Sequence, residues 1–188
     1  SSFFLKKRAN SFSAVSALAN DWTGQKVEAI FFSCRADYDG LFPLAARIHH
    51  RTRAKIVLNG SRGERYGGNI SGESWPGKGV FKDFLRAHGV GKANIFYSGP
   101  AFHTREENDV FVEWAKKNKV RSAVCIAHPH QLPRVILGQL YALKCANYEM
   151  SIYAAAPKIT DWRKLVGCNQ GIETKPRYEN IGDELIRV

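Results

Sequence analysis

Two polar clusters in this chain each follow a short apolar run, and their residue types are those of a binding site. The first, Gly99-Pro100-Ala101-Phe102-His103-Thr104-Arg105-Glu106-Glu107-Asn108, follows Asn94-Ile95-Phe96-Tyr97. The second, His128-Pro129-His130-Gln131-Leu132-Pro133-Arg134, follows Ala123-Val124-Cys125-Ile126-Ala127. Histidine and glutamate move protons near neutral pH. Arginine offers a forked donor that fits phosphate or carboxylate. In an open parallel sheet, ligands sit outside the carboxyl ends of the strands, which is where an apolar run gives way to such residues.

Arg134 follows Pro133, and proline is favoured at the start of a helix. A helix N-terminus attracts anions, so Arg134 either grips an anionic ligand or pairs with an acidic neighbour across the rim. Thr104 and Glu107 have the spacing of a capping box. Glu106 either belongs to that helix start or works as an acid or base. His128 and His130 flank Pro129, and this spacing either turns both toward one ligand or splays them apart. With His103 they could complete a three-histidine metal site, but no diagnostic ligand spacing accompanies them, so no metal is favoured and the cofactor stays unknown. Hydrogen bonding to substrate or proton shuttling suits the histidines better. The candidate catalytic residues are therefore Glu106, His130 and His103. The candidate ligand-binding residues are Asn59, Gly60, Thr104, His128, Gln131 and Arg134.

Other positions carry weaker signals. Cys34, Asp37 and Asp39 follow the first strand. Cys34 is either a nucleophile or a small buried residue, and Asp39 suits a helix cap. Cys125 sits in an apolar run as a small hydrophobe. His49-His50 reads as a solvent-facing pair on a helix. Trp75 lies in a glycine-rich stretch, residues 61–79, that is either a phosphate-covering loop or a plain surface lid. That stretch is not a P-loop, and no GxGxxG opens the helix after the first strand.

The elements that must position these residues alternate. Strands are expected over residues 27–32, 55–58, 94–97, 123–127 and 151–155, each rich in β-branched or aromatic residues. Helices are expected over 41–52, 80–88, 104–117 and 132–143, from apolar positions at helical spacing. A further helical segment is expected near 178–186. This order implies βαβ units and a mostly parallel sheet of about five strands in a single α/β domain. The expected division is a helical lead-in at 1–24, an α/β core at 25–156, and an extension at 157–188 packed on the core.

Length and composition set outer limits. The 188 residues, 44% hydrophobic and 24% charged, suit one globular domain. No apolar stretch is long enough to span a bilayer. The four cysteines, Cys34, Cys125, Cys145 and Cys168, form no CxxC pair, so their spacing does not point to a zinc finger or ribbon. They read as reduced thiols of an intracellular protein, cytoplasmic or organellar. The chain starts at Ser1, which leaves room for a removed targeting segment. The formal charge of +11, from 28 Lys and Arg against 17 Asp and Glu, favours anionic partners. The basic residues are spread along the chain, without the aromatic interleaving of single-strand binders.

Over residues 27–143 the chain resembles the YdcF-like and SanA-like family. The likeness rests on a strand ending in a small polar-glycine turn, Asn59-Gly60-Ser61, and on Thr104 and Glu106 at the start of one helix. Pro133 and Arg134, opening another helix, complete it. The family's Asn-Thr-x-Glu-Asn becomes His103-Thr104-Arg105-Glu106-Glu107, and its histidine two positions before the Pro-Arg pair becomes Gln131. The resemblance implies a Rossmann-like sandwich that binds a nucleotide-like or phosphorylated ligand, at a site whose polar residues are partly rewritten. Two function classes follow. One is a small-molecule binder or enzyme that holds an anionic ligand at the strand ends. The other is a catalytically lapsed domain serving a protein assembly, with RNA as a further possible partner.

Overall fold

A run such as Ala29-Ile30-Phe31-Phe32 has no polar position, so it suits a strand covered on both faces. The computed structural model describes residues 21–33, 40–60, 78–101, 103–167 and 174–186. There the run forms β1 (Ala29–Phe32), with all four residues buried. It is joined by β2 (Lys55–Gly60), β3 (Ile95–Pro100), β4 (Ser122–Ile126) and β5 (Ser151–Ala155). The sheet order is β3-β2-β1-β4-β5, and every pairing is parallel.

Parallel neighbours need crossovers, and helices supply them. These are α1 (Leu41–Thr52), α2 (Lys78–Ala87), α3 (Thr104–Lys117) and α4 (Leu132–Cys145). Strand alternation sorts the core into two layers. Ile30, Phe32, Leu58 and Ile126 pack with Leu41 and Ile48 of α1 and with Phe81 and Leu85 of α2. Ala29, Phe31, Val57 and Cys125 pack with Phe111 of α3 and Val135 of α4. The ring of Phe31 lies 4.7 Å from that of Phe111. Each such fully buried aromatic contributes about 1.5–3 kcal/mol by transfer from water. The result is a three-layer α/β sandwich with a Rossmann-like sheet, as expected.

Several local expectations change. The strand expected at 94–97 runs on to Pro100, after a 3-10 turn at Lys92–Asn94. Helix α1 is capped by Gly40 at φ 72°, without a side-chain bond, rather than by Asp39. His49 is not solvent-facing: it is buried, and its Nδ1 lies 2.7 Å from the carbonyl of Ala54, closing the α1 terminus. Only His50 is exposed. The extension contains an antiparallel pair that periodicity did not signal, β6 (Leu165–Gly167) with β7 (Thr174–Pro176). Three-residue strands are too short to show alternation. The last helix, α5 (Glu179–Ile186), lies where it was expected. The lead-in at 1–20, Cys34, Asp37, Asp39, Trp75 and Cys168 lie outside the described residues.

Candidate functional site

The sheet order reverses direction between β1 and β4, because β2 and β3 extend to one side and β5 to the other. Ligands of open α/β sheets bind at such a switch point, at the carboxyl ends of the strands. The residues met there are built up from the strands and from the two helices that begin above them.

The pairing of β1 with β2 runs in register to Phe32 and Leu58. The next residues are Ser33 and Asn59, both fully buried. Alternation carries Ser33 after Phe31, and Asn59 after Val57, onto the face covered by α3. The Ser33 Oγ donates to Oε2 of Glu107, in the first turn of α3, at 3.3 Å. Asn59 lies where the β2–β3 register slips, between Leu58↔Tyr97 and Gly60↔Pro100. The extra residue falls on β3, where Gly99 takes φ 150°, a conformation that favours glycine. Both the Oδ1 and Nδ2 of Asn59 are buried with no hydrogen-bond partner among the described residues. Leaving a buried polar group unpaired costs about 1–3 kcal/mol.

The cap of α3 is shifted by one from the expected box. His103 takes the N-cap, and its Nδ1 accepts from the backbone N–H of Glu106 at 3.3 Å. His103 Nε2 lies 3.4 Å from Glu106 Oε1, on side chains 61% and 43% exposed. The cap therefore directs His103 and Glu106 to the solvent side. It leaves Thr104 and Glu107, one turn apart, on the buried side.

Helix α4 starts from a turn in which the His128 carbonyl accepts from the N–H of Gln131 at 2.9 Å and of Leu132 at 3.0 Å. Gln131 is the N-cap, and Pro133 lies in the first turn. Arg134 reaches across to α3, where its Nη1 donates to Thr104 Oγ1 at 2.5 Å. His128, His130 and Gln131 are all buried in this turn. The two imidazoles lie 5.6 Å apart by centroid, and Trp162 of the extension meets His130 edge-on at 6.3 Å.

The structure thus brings Thr104 and Arg134 into contact and sets Asn59 beside the Ser33–Glu107 pair. His128, His130 and Gln131 share one turn. Gly60 ends β2 opposite Pro100. His103 and Glu106 form their own exposed pair at the rim. Two residues escaped the sequence reading. Ser33 had a signal, as the first polar residue after an apolar strand. Glu107 had one too, in its spacing of three from Thr104, a spacing that a capping box shares. Among the described residues no group of three or more His, Cys, Asp or Glu side chains is arranged to hold a metal ion. Among them no helix is long and apolar enough to cross a membrane. Comparison with protein-family models and with curated proteins finds no match to this chain.

Proposed function

We propose that the crevice at the carboxyl ends of the sheet binds a small anionic molecule, phosphorylated or nucleotide-like, as the YdcF-like resemblance implies. The observation that carries this reading is the Arg134–Thr104 contact. It draws together the first turns of α3 and α4, so that two helix N-termini and a guanidinium share one edge of the sheet. Helix N-termini present unpaired N–H groups and partial positive charge, and arginine adds a full one. Gly60 and the α4 turn with His128 and Gln131 complete the wall. Any proton transfer in a turnover falls to His130, Glu106 or His103. A thermal-shift series tests the reading, because a ligand selective for the native state raises the midpoint. Inorganic phosphate, sugar phosphates and nucleotides are titrated against the intact chain and against Arg134→Ala. Saturable stabilisation that the variant loses supports the reading. Stabilisation by none of them, or by the variant equally, overturns it.

A second reading, a basic interaction subunit, draws on a different observation. Leu137, Leu140 and Tyr141 are at least half exposed along the outer side of α4, and the chain carries a charge of +11. Exposed apolar groups at this spacing suit contact with another macromolecule. Binding to RNA that weakens steeply with salt, or a defined protein complex lost in Leu140→Asp, would favour it over the first.

A further inference from the structure

Resting on the anion-binding reading, we infer that the ligand is a phosphomonoester whose carbon skeleton carries hydroxyl groups, and that Asn59 reads one of them. The anion end is marked by Arg134 and Thr104. From Thr104 the site runs one helical turn to Glu107, whose carboxylate accepts from Ser33, and then one strand spacing from β1 to Asn59 on β2. Arg134–Thr104 and Asn59 are thus separate stations along the site, and a ligand that reaches both extends beyond its anionic group.

The chemistry of the far end selects what lies there. Glu107 there is a buried carboxyl group that already accepts from Ser33. Asn59 offers a carbonyl acceptor and an amide donor, both buried and both without a partner among the described residues. An alkyl group satisfies neither. A hydroxyl group both donates and accepts, so a hydroxylated skeleton completes Asn59 at the point where the β2–β3 register slips.

Calorimetric titration of the intact chain with ethyl phosphate, inorganic phosphate, glycerol 3-phosphate, a hexose 6-phosphate and a nucleoside 5′-monophosphate tests the inference. The hydroxylated esters are expected to bind about 10-fold or more tightly than ethyl phosphate, the effect of one or two well-made hydrogen bonds. Asn59→Leu, and Asn59→Ala should the first fail to fold, are expected to bring that preference to within about 3-fold. Preference for the hexose over the nucleoside ester, or the reverse, identifies the source of the hydroxyls, and either supports the inference. Equal binding of ethyl and hydroxylated phosphates overturns it and leaves the anion reading standing. A preference that survives in the Asn59 variants also overturns it. Binding of none of the five overturns the anion reading and the inference with it.

Discussion

The Nη1 of Arg134 donates to the Oγ1 of Thr104 at 2.5 Å, and this bond ties the first turn of α4 to the first turn of α3, thirty residues earlier. The tie depends on the N-cap. Because His103 takes that position, Thr104 becomes the first helical residue, and its hydroxyl is released from capping. It is then available to the guanidinium at the switch point between β1 and β4.

Thr104→Val keeps the shape of the side chain and removes the acceptor. Thr104 is 7% exposed, so water has little access to replace the lost oxygen. Hydrogen bonds to charged groups contribute about 1.5–3 kcal/mol, and because Arg134 is only half-buried the expected loss is the lower part, about 1–2 kcal/mol. Denaturant unfolding of the variant checks this. A change below about 0.3 kcal/mol would show that the contact does not hold the two helices together.

Ser33 and Glu107 are separated by 74 positions in the chain and meet only because β1 and α3 fold onto one another. A double-mutant cycle of Ser33→Ala and Glu107→Ala isolates their coupling. The expected interaction is about 1 kcal/mol, within the range for buried neighbours in one hydrogen-bond pair. Glu107→Gln alone is expected to cost less than Glu107→Ala, since the amide oxygen can still accept from Ser33. Additive effects in the cycle would show that the two side chains act independently.

The sheet was legible from sequence because parallel strands are apolar on both faces, and runs such as 123–127 and 151–155 stand out from their surroundings. The long helices were legible for the same reason, with an apolar stripe at helical spacing in 104–117. The site was only half legible. Thr104 and Arg134 announced themselves by their place at helix starts, and Asn59 by ending a strand. Which of the adjacent carboxylates faces inward was hidden, because it depends on the phase of α3. A one-residue shift of the cap, from Thr104 to His103, rotates Glu106 outward and Glu107 inward. The burial of His49 was hidden for a similar reason. Its partner, the Ala54 carbonyl, lies beyond the helix end, where Arg53 adopts φ 62°.

Gly138 allows α4 to lie close against α3. A Cβ built at this position would collide with the Nδ2 of Asn108 and come within 3.1 Å of its Cγ. Asn108 is buried and is held by the Nε2 of Gln139 at 2.8 Å, so it has little room to swing away. Overpacking costs about 1–3 kcal/mol and alanine returns about 1 kcal/mol of helix propensity. Gly138→Ala is therefore expected to lose up to about 2 kcal/mol in denaturant unfolding. With Asn108→Ala already in place the collision is gone, and the same substitution should stabilise by a few tenths of a kcal/mol or more. If Gly138→Ala is equally harmful in both backgrounds, the collision is not the cause.

Cys125 gives the fold a pH dependence on the alkaline side. Its thiol is fully buried in β4, and burial pushes its pKa far above the usual range, with the negative charge of Asp21 adding to the effect. The unfolded chain binds that proton less firmly, with a pKa of about 8.5. Below that value both states hold the proton, and the thiol makes no pH-dependent contribution. Above it the unfolded state ionises while the native state does not, so stability falls as pH rises. The slope approaches about 1.4 kcal/mol per pH unit for this one group. Stability measured by urea unfolding between pH 7 and 10 should decline more steeply for the native sequence than for Cys125→Ala. The difference between the two should open near pH 8.5 and reach about 1.4 kcal/mol by pH 9.5. The variant starts lower because a buried sulfur is removed, so the shape of the two curves, and not their offset, carries the comparison. Parallel curves across this window would mean that Cys125 ionises as readily in the folded protein as in the unfolded chain.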